Sequence, residues 1–318
     1  CSSDLVQWMG GENYGRESTR PLFNAWGGTG SAWDFALNDK GVGLVMHTSY
    51  NLGSNKRLIA NRIKLGAKDG EWQLWSKQGW QAHTDYSHAY LFNDGKDNGN
   101  PRISPLGRDE FLVAYRHSGS DDNEFWTALH YDDGDSAWQR LTPDGWAEQG
   151  EYGQVMPQCI GERSMRLVSE RRDVGMFALI PRGGMGLLVH AKYDEKKRVF
   201  TDFEEIDYIA PSESDMNNYY ASPSFKLADA GKGDWHAAYS PDGGSIIVTG
   251  EGVVYEGDEP VNVVSFGYHK RKGIVLFERN GKLYGIRENA ITGESPQPKG
   301  PVFREASTEM PQDYVVFD

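Results

Sequence analysis

Residues 100–141, NPRISPLGRDEFLVAYRHSGSDDNEFWTALHYDDGDSAWQRL, constrain the fold more than any other stretch. They read as four short strands in succession. The first covers 102–104 and meets the turn Pro105-Leu106-Gly107-Arg108. The second, 110–118, alternates Phe111, Val113, Tyr115 and His117 against Leu112, Ala114 and Arg116. A polar loop, 119–123, leads to the third at 125–131, and the turn 132–135 leads to a fourth that starts at Trp138. Period-2 alternation broken by Gly, Asp, Ser and Pro is the pattern of an antiparallel meander.

The same unit recurs. WDFALND, VGLVMHTSY, KRLIANRIKLG and EWQLWS repeat it over 31–77. MRLVSER, VGMFALIPR, GMGLLVHAKYD and RVFTDFEEIDY repeat it over 164–208. SPSFKLADA, DWHAAYS, GSIIVTG and GVVY follow, and then VNVVSFGYH, KGIVLFER and KLYGIREN. The second strands fall near Leu44, Leu112, Met176, His236 and Ile274, about 60 to 70 residues apart for the first four and closer for the last. Four-stranded units repeated on this scale indicate an all-β chain, a β-propeller of four-stranded antiparallel blades. Known blades run about 40 to 50 residues, so five blades with long loops are expected, and up to seven if degenerate blades hide among them. Residues 1–30, polar and glycine-rich, form a leading segment. Residues 31–318 form one propeller domain, whose terminal strands would close the ring. A large β-sandwich is the architectural alternative.

Composition agrees. The chain has 318 residues, 38 Gly, 10 Trp, 16 Tyr and 13 Phe, which suits many tight turns and aromatic packing and excludes disorder. The net charge of −13 repels phosphate backbones and gives no attraction to anionic lipid. Nucleic acid is therefore not expected as a partner. A local cluster of Arg and Lys is still compatible with an anionic substrate. No apolar run approaches the roughly 18 residues of a membrane span.

Two cysteines, Cys1 and Cys159, make no disulfide framework. The start Cys1-Ser2-Ser3-Asp4 resembles a mature bacterial lipoprotein cut before its acylated cysteine. On that reading the protein is exported to the periplasm, outer membrane or cell surface, meets the membrane only through a lipid on Cys1, and carries Cys159 as a lone thiol. The alternatives are a chain end that happens to fall on cysteine, or a Cys1–Cys159 disulfide.

The pattern NP-x-I, FLVAYRHSGSDDNEFWTALHYDD and W-x-R-L resembles the BNR-type repeat of secreted β-propellers. In particular it is similar to the repeat of ulvan-lyase-like polysaccharide lyases. Those proteins carry a Tyr-Pro at one blade start and a Tyr-Arg at the end of its second strand. Tyr115-Arg116 matches the second half, while Asn100-Pro101 stands where Tyr-Pro belongs. The resemblance covers about one blade. It implies β-elimination on an acidic polysaccharide with no required cofactor. Such chemistry needs a cation to neutralise the uronate, a base to take its α-proton and an acid for the leaving oxygen. Arg116, His117, His47 and Tyr115 are the right types, although Arg116 and His117 alternate across the strand. Trp80, Tyr86, Tyr90 and Asn100 are candidates for substrate contact.

Three further readings stay open. His83, Asp85 and His88 lie within six residues and offer donors for a structural metal ion, without a third close anchor in the pattern. A five-bladed glycoside hydrolase would need two carboxylates across a cleft, for which Asp34 with Glu170 or Asp215 is the best set. A non-catalytic propeller would bind a glycan or use its face as a platform for envelope proteins. The sialidase turn Ser-x-Asp-x-Gly-x-x-Trp is absent, as are phosphate loops and nucleophile elbows. The segment 192–198 reads as a solvated hairpin turn.

Overall fold

The structure is a computed structural model. It describes residues 33–49, 57–64, 72–82, 92, 98–118, 124–156, 165–170, 173–210, 225–241, 244–250, 252–269 and 272–287. The elements named are all strands, in consecutive antiparallel meanders. The fold class is all-β, of the β-propeller type. Two compact units are distinguished, one of Cys1–Pro157 with Tyr193–Phe200, the other of Gln158–Lys192 with Thr201–Asp318.

The first unit holds two five-stranded sheets. One runs β1 (Trp33–Leu37), β2 (Val42–Ser49), β3 (Arg57–Lys64), β4 (Gln73–Ser76) and β5 (Gly79–Ala82). The other runs β6 (Asn98–Leu106), β7 (Glu110–Ser118), β8 (Glu124–Asp132), β9 (Ala137–Thr142) and β10 (Gly145–Ala147). The meander expected at 100–141 is therefore present, with β6 extended by a bulge between Gly99 and Arg102. Both sheets add a fifth strand that the sequence pattern did not suggest. Each is very short and follows a tight turn, so its period-2 signal is too brief to stand out.

The second unit holds β11 (Met165–Glu170), β12 (Asp173–Arg182), β13 (Met185–Asp194) and β14 (Val199–Ala210) in one sheet, with the tip of the β13–β14 hairpin counted in the first unit. Next come β15 (Lys226–Asp229), β16 (Trp235–Ala238), β17 (Ile246–Thr249) and β18 (Gly252–Glu256). Reciprocal backbone bonds between Tyr239 and Val248, 2.9 and 3.0 Å, join these two hairpins into one four-stranded meander. The last sheet is β19 (Asn262–His269), β20 (Lys272–Arg279) and β21 (Lys282–Arg287). Five blade-like meanders are thus present among the described residues, matching the five sequence units.

Turn chemistry sets the register. Asn38 Oδ1 accepts the N–H groups of Lys40 and Val42 at 3.0 and 2.9 Å, an Asx turn that reverses β1 into β2. Asn280 and Gly281, with φ of 52° and 71°, give the left-handed pair that a two-residue hairpin requires between β20 and β21.

In the first unit the sheets share one core. Leu44, Met46, Leu58 and Ala60 pack against Ile103, Phe111, Val113 and Tyr131. A polar clasp closes its edge. Arg62 Nη1 donates to Asp133 Oδ1 at 2.6 Å and to the Tyr131 hydroxyl at 2.9 Å, and Tyr131 donates to Asp133 at 2.8 Å. Trp80 Nε1 donates to the same hydroxyl at 2.7 Å, and Arg62 lies 4.6 Å over the Trp80 ring. Burial would raise the Asp133 pKa. The Tyr131 hydrogen bond and the charges of Arg62 and Lys64 outweigh it and hold the carboxyl below its usual range.

A carboxylate with a depressed folded-state pKa contributes stability that is present above its unfolded value, near 4, and lost as pH falls through the folded value. Asp133→Asn leaves the Arg62 charge without its main partner and is expected to destabilise the first unit by about 3 to 5 kcal/mol at pH 7. Urea titrations at pH 7 and at about pH 3 should show the difference from the parent protein shrinking on the acid side. A constant difference would contradict this account.

Candidate functional site

Asp34, His47, Asn100, Tyr115, Arg116 and His117 lie at one end of their sheets, where the first strand begins and the second ends, while Trp80 lies on the fifth strand of its sheet. Their accessibility differs. Tyr115 is fully buried and packs in the shared core with Leu44 and Met46. His117 is 4% exposed, between the rings of Tyr152 at 4.2 Å and Phe125 at 5.2 Å. Arg116 faces the other side of β7 and is half-buried. His47 is 1% exposed, with Nδ1 3.4 Å from Asn61 Nδ2. By strand alternation His47 faces the surface of its sheet opposite to Leu44 and Met46. The sheet β1–β5 therefore lies between His47 and the Tyr115 side chain, and the two do not share a cleft.

Asn100 sits at the bulge of β6 with a left-handed φ of 54° and is half-buried. Trp80 belongs to β5, packs on Trp75 and Tyr131, and spends its N–H within the clasp. Its contacts are those of a core residue rather than of an open stacking platform. Asp34 Oδ2 accepts the backbone N–H of Ile103 at 2.8 Å, tying β1 to β6. His83, Asp85, Tyr86, His88, Tyr90 and Asp215 lie outside the described residues. Among the described residues no group of three or more His, Cys, Asp or Glu is placed to hold a metal ion.

A repeated feature escaped the sequence reading. Arg102, Arg166 and Lys226 each lie near the start of the first strand of a sheet, opposite Ala114, Phe177 and Ala238. The fragments PRIS, MRLV and FKLA carry the signal, which shows only once the strands are aligned. Arg102 and Arg166 each donate Nη1 to the carbonyl of the preceding residue at 2.8 Å. Arg102 is buried, Lys226 is half-buried and Arg166 is exposed. Burial, and then the nearby Arg166 charge, hold the Lys226 ammonium pKa below its usual value. Tyr239, just past β16, repeats the position of Tyr115 at the end of a second strand. Burial foremost, with the charge and hydrogen bond of Asp207, raises its hydroxyl pKa well above the usual value.

In the second unit a cleft opens between β11–β14 and β15–β18, running from the β11–β12 and β15–β16 turns along the strands to Phe177 and Tyr239. It has two contiguous parts of about 400 and 230 Å³ that share His190, Glu204 and Trp235. Glu170 folds across Gly175 to meet His190, Oε1 to Nε2, at 2.6 Å, while His190 Nδ1 lies 3.8 Å from Glu204 Oε2. His236 Nδ1 lies 3.1 Å from the Tyr268 hydroxyl and its Nε2 3.7 Å from Asp234 Oδ1. Trp235 Nε1 donates to the Ser169 carbonyl at 2.8 Å, which fixes the plane of its indole.

No family model matches the sequence, and no curated protein matches it. Among solved structures, the chain is similar to a β-xylosidase designated RS223, at 11% identity over 81% of this chain and 90% of that one, TM-score 0.36. It is similar to a GH43_1 enzyme from Xanthomonas citri, at 8% identity over 78% and 81%, TM-score 0.40. It is also similar to a PL25 ulvan lyase, at 10% identity over 80% and 78%, TM-score 0.37. Likeness at this level leaves the activity of the chain to its own residues.

The Glu170–His190 contact depends on the missing side chain at Gly175, because a Cβ there would overlap the Glu170 carboxylate. Gly175→Ala is expected to displace Glu170 from His190 and to destabilise the second unit by about 1 to 3 kcal/mol. Histidine NMR would show the His190 ring resonances moving in this variant. Unchanged resonances would mean that Glu170 does not hold the ring.

Proposed function

We propose that the protein is a carbohydrate-active β-propeller that binds an anionic glycan, with Arg166 and Lys226 taking its carboxylate or sulfate groups. The observation that carries this reading is the approach of two cations on neighbouring first strands of an otherwise acidic chain. Lys226 is half-buried beside the Arg166 charge, and both depress its ammonium pKa, so a bound anion would favour its charged form. Arg supplies a planar fork for a carboxylate and Lys a compact point charge.

Binding is favoured over β-elimination at the Tyr115–His117 segment. Tyr115, His117 and His47 are buried, and proton transfer needs a group within hydrogen-bond reach of the substrate. Elimination is the second reading, supported by Arg116, which is half-buried beside residues of the right types.

Isothermal titration with tetragalacturonate is expected to show binding that weakens with added salt. The double variant Arg166→Ala/Lys226→Ala should bind at least about 10-fold more weakly, since two charge-assisted contacts are removed. The Lys226 ammonium pKa should rise when the glycan binds, because a neighbouring anion favours the charged form. Equal affinity in the double variant would overturn the assignment. Growth of ultraviolet absorbance from an unsaturated product during incubation with polyuronates would favour the elimination reading, with Arg116→Ala abolishing it.

A further inference from the structure

The larger part of the cleft in the second unit lies beside the β11–β12 and β15–β16 turns, and neither Arg166 nor Lys226 lines it. Its chemistry is opposite to theirs. Glu170, Asp173, Glu204 and Asp234 line it against one lysine, Lys192. A uronate would be repelled there. Its volume of about 400 Å³ in the larger part falls within the range of small-molecule sites.

The walls are built from groups already fixed by the fold. Val168, Phe177, Leu188 and Ala237 belong to the apolar core between the two sheets, and Phe177 and Ala237 also line the smaller part of the cleft. At its margin the lining changes to His190, Glu204 and Trp235. Because the Trp235 N–H is spent on Ser169, the indole is left with an apolar face of fixed orientation. Gly233 and Gly250 line the opening without side chains. A Cβ at Gly250 would overlap the His236 ring, so the space beside that histidine depends on the glycine.

Polar groups surround the aromatic wall. Glu204 and Asp234 are 76% and 70% exposed at the rim, beside His190 and His236. A carboxylate accepts two hydrogen bonds side by side and suits vicinal hydroxyls. Each imidazole is held in orientation by its contacts, His190 by Glu170 and His236 by Tyr268. An apolar face to stack on C–H groups, with acceptors and oriented imidazoles around it, matches a sugar ring.

We propose that this cleft is a second glycan site, selective for an uncharged sugar residue stacked on Trp235, with its hydroxyls held by Glu204 and Asp234. The site is independent of the anion-binding reading. One chain would then engage a glycan or glycans through two chemically distinct sites.

The test is titration of the full chain with cellotetraose, xylotetraose, mannotetraose and maltotetraose, beside tetragalacturonate. At least one neutral oligosaccharide should bind. Trp235→Ala should weaken that binding at least about 10-fold, since an aromatic stacking face is lost. Glu204→Gln should weaken it about 3- to 10-fold, as expected when a charge-assisted hydrogen bond becomes a neutral one. Glu204 lies on the surface, so this variant keeps the test valid if Trp235→Ala fails to fold. Trp235→Phe should restore part of the affinity. Tetragalacturonate binding should be unchanged in the Glu204 variant. Absence of binding by all four neutral sugars, or equal binding by parent and Glu204→Gln, would overturn the neutral-sugar site and leave the anion site standing. Loss of tetragalacturonate binding alone would do the reverse.

Discussion

The constraint on which the structure depends is that the second strands β2, β7 and β12 are buried on both faces. In β2, Leu44 and Met46 face the core shared with the neighbouring sheet, while Val45 and His47 face the other way, and all four are closed to solvent. The same holds for Leu112 and Val113 in β7 and for Met176 and Phe177 in β12. A sheet with two apolar faces cannot stand alone in water, since burial of its apolar area is the main favourable term of folding. Each of these sheets therefore needs cover on both faces, and repetition of one unit is the simplest solution.

The same constraint sorts the polar residues. A charged or hydroxyl group between two sheets must be satisfied inside the protein, as in the clasp of Arg62, Tyr131, Asp133 and Trp80. Near the ends of the strands, Arg116, Arg166 and Lys226 keep access to water, while His47 and His117 do not. Both proposed sites use this freedom. Arg166 and Lys226 lie where first strands begin, and Glu170, Asp173 and Asp234 lie at the turns that follow those strands. The two ends carry opposite local charge, which the net charge of the chain conceals.

Strand alternation governs which of the sequence candidates reach solvent. Tyr115, Arg116 and His117 are of suitable types for elimination and stand where the family resemblance implies. The alternation that identified β7 also puts Tyr115 on the face that packs against the next sheet. Burial follows from which face meets a neighbour, and one strand's pattern does not say whether an aromatic there is lining or filling. Trp80 shows the same effect. Read as part of an aromatic insertion, it is a strand residue whose N–H closes a buried network. The Glu170–His190 contact had no sequence signal of its own, because its two members are 20 residues apart and meet only through strand pairing and the absence of a side chain at Gly175.

The sequence by itself determined the strand rhythm, the five meanders and the all-β class. These follow from period-2 alternation and from Gly, Asn, Asp and Pro at reversals, which are local effects readable over a few residues. It also placed β7 at the residues where the structure has it. Only the tertiary structure decided which side chains are accessible, that Arg166 approaches Lys226, and that a carboxylate-lined cleft with a fixed indole opens between β11–β14 and β15–β18. Those facts depend on contacts between residues far apart in the chain, and the alternation of a single strand carries no information about what packs against it.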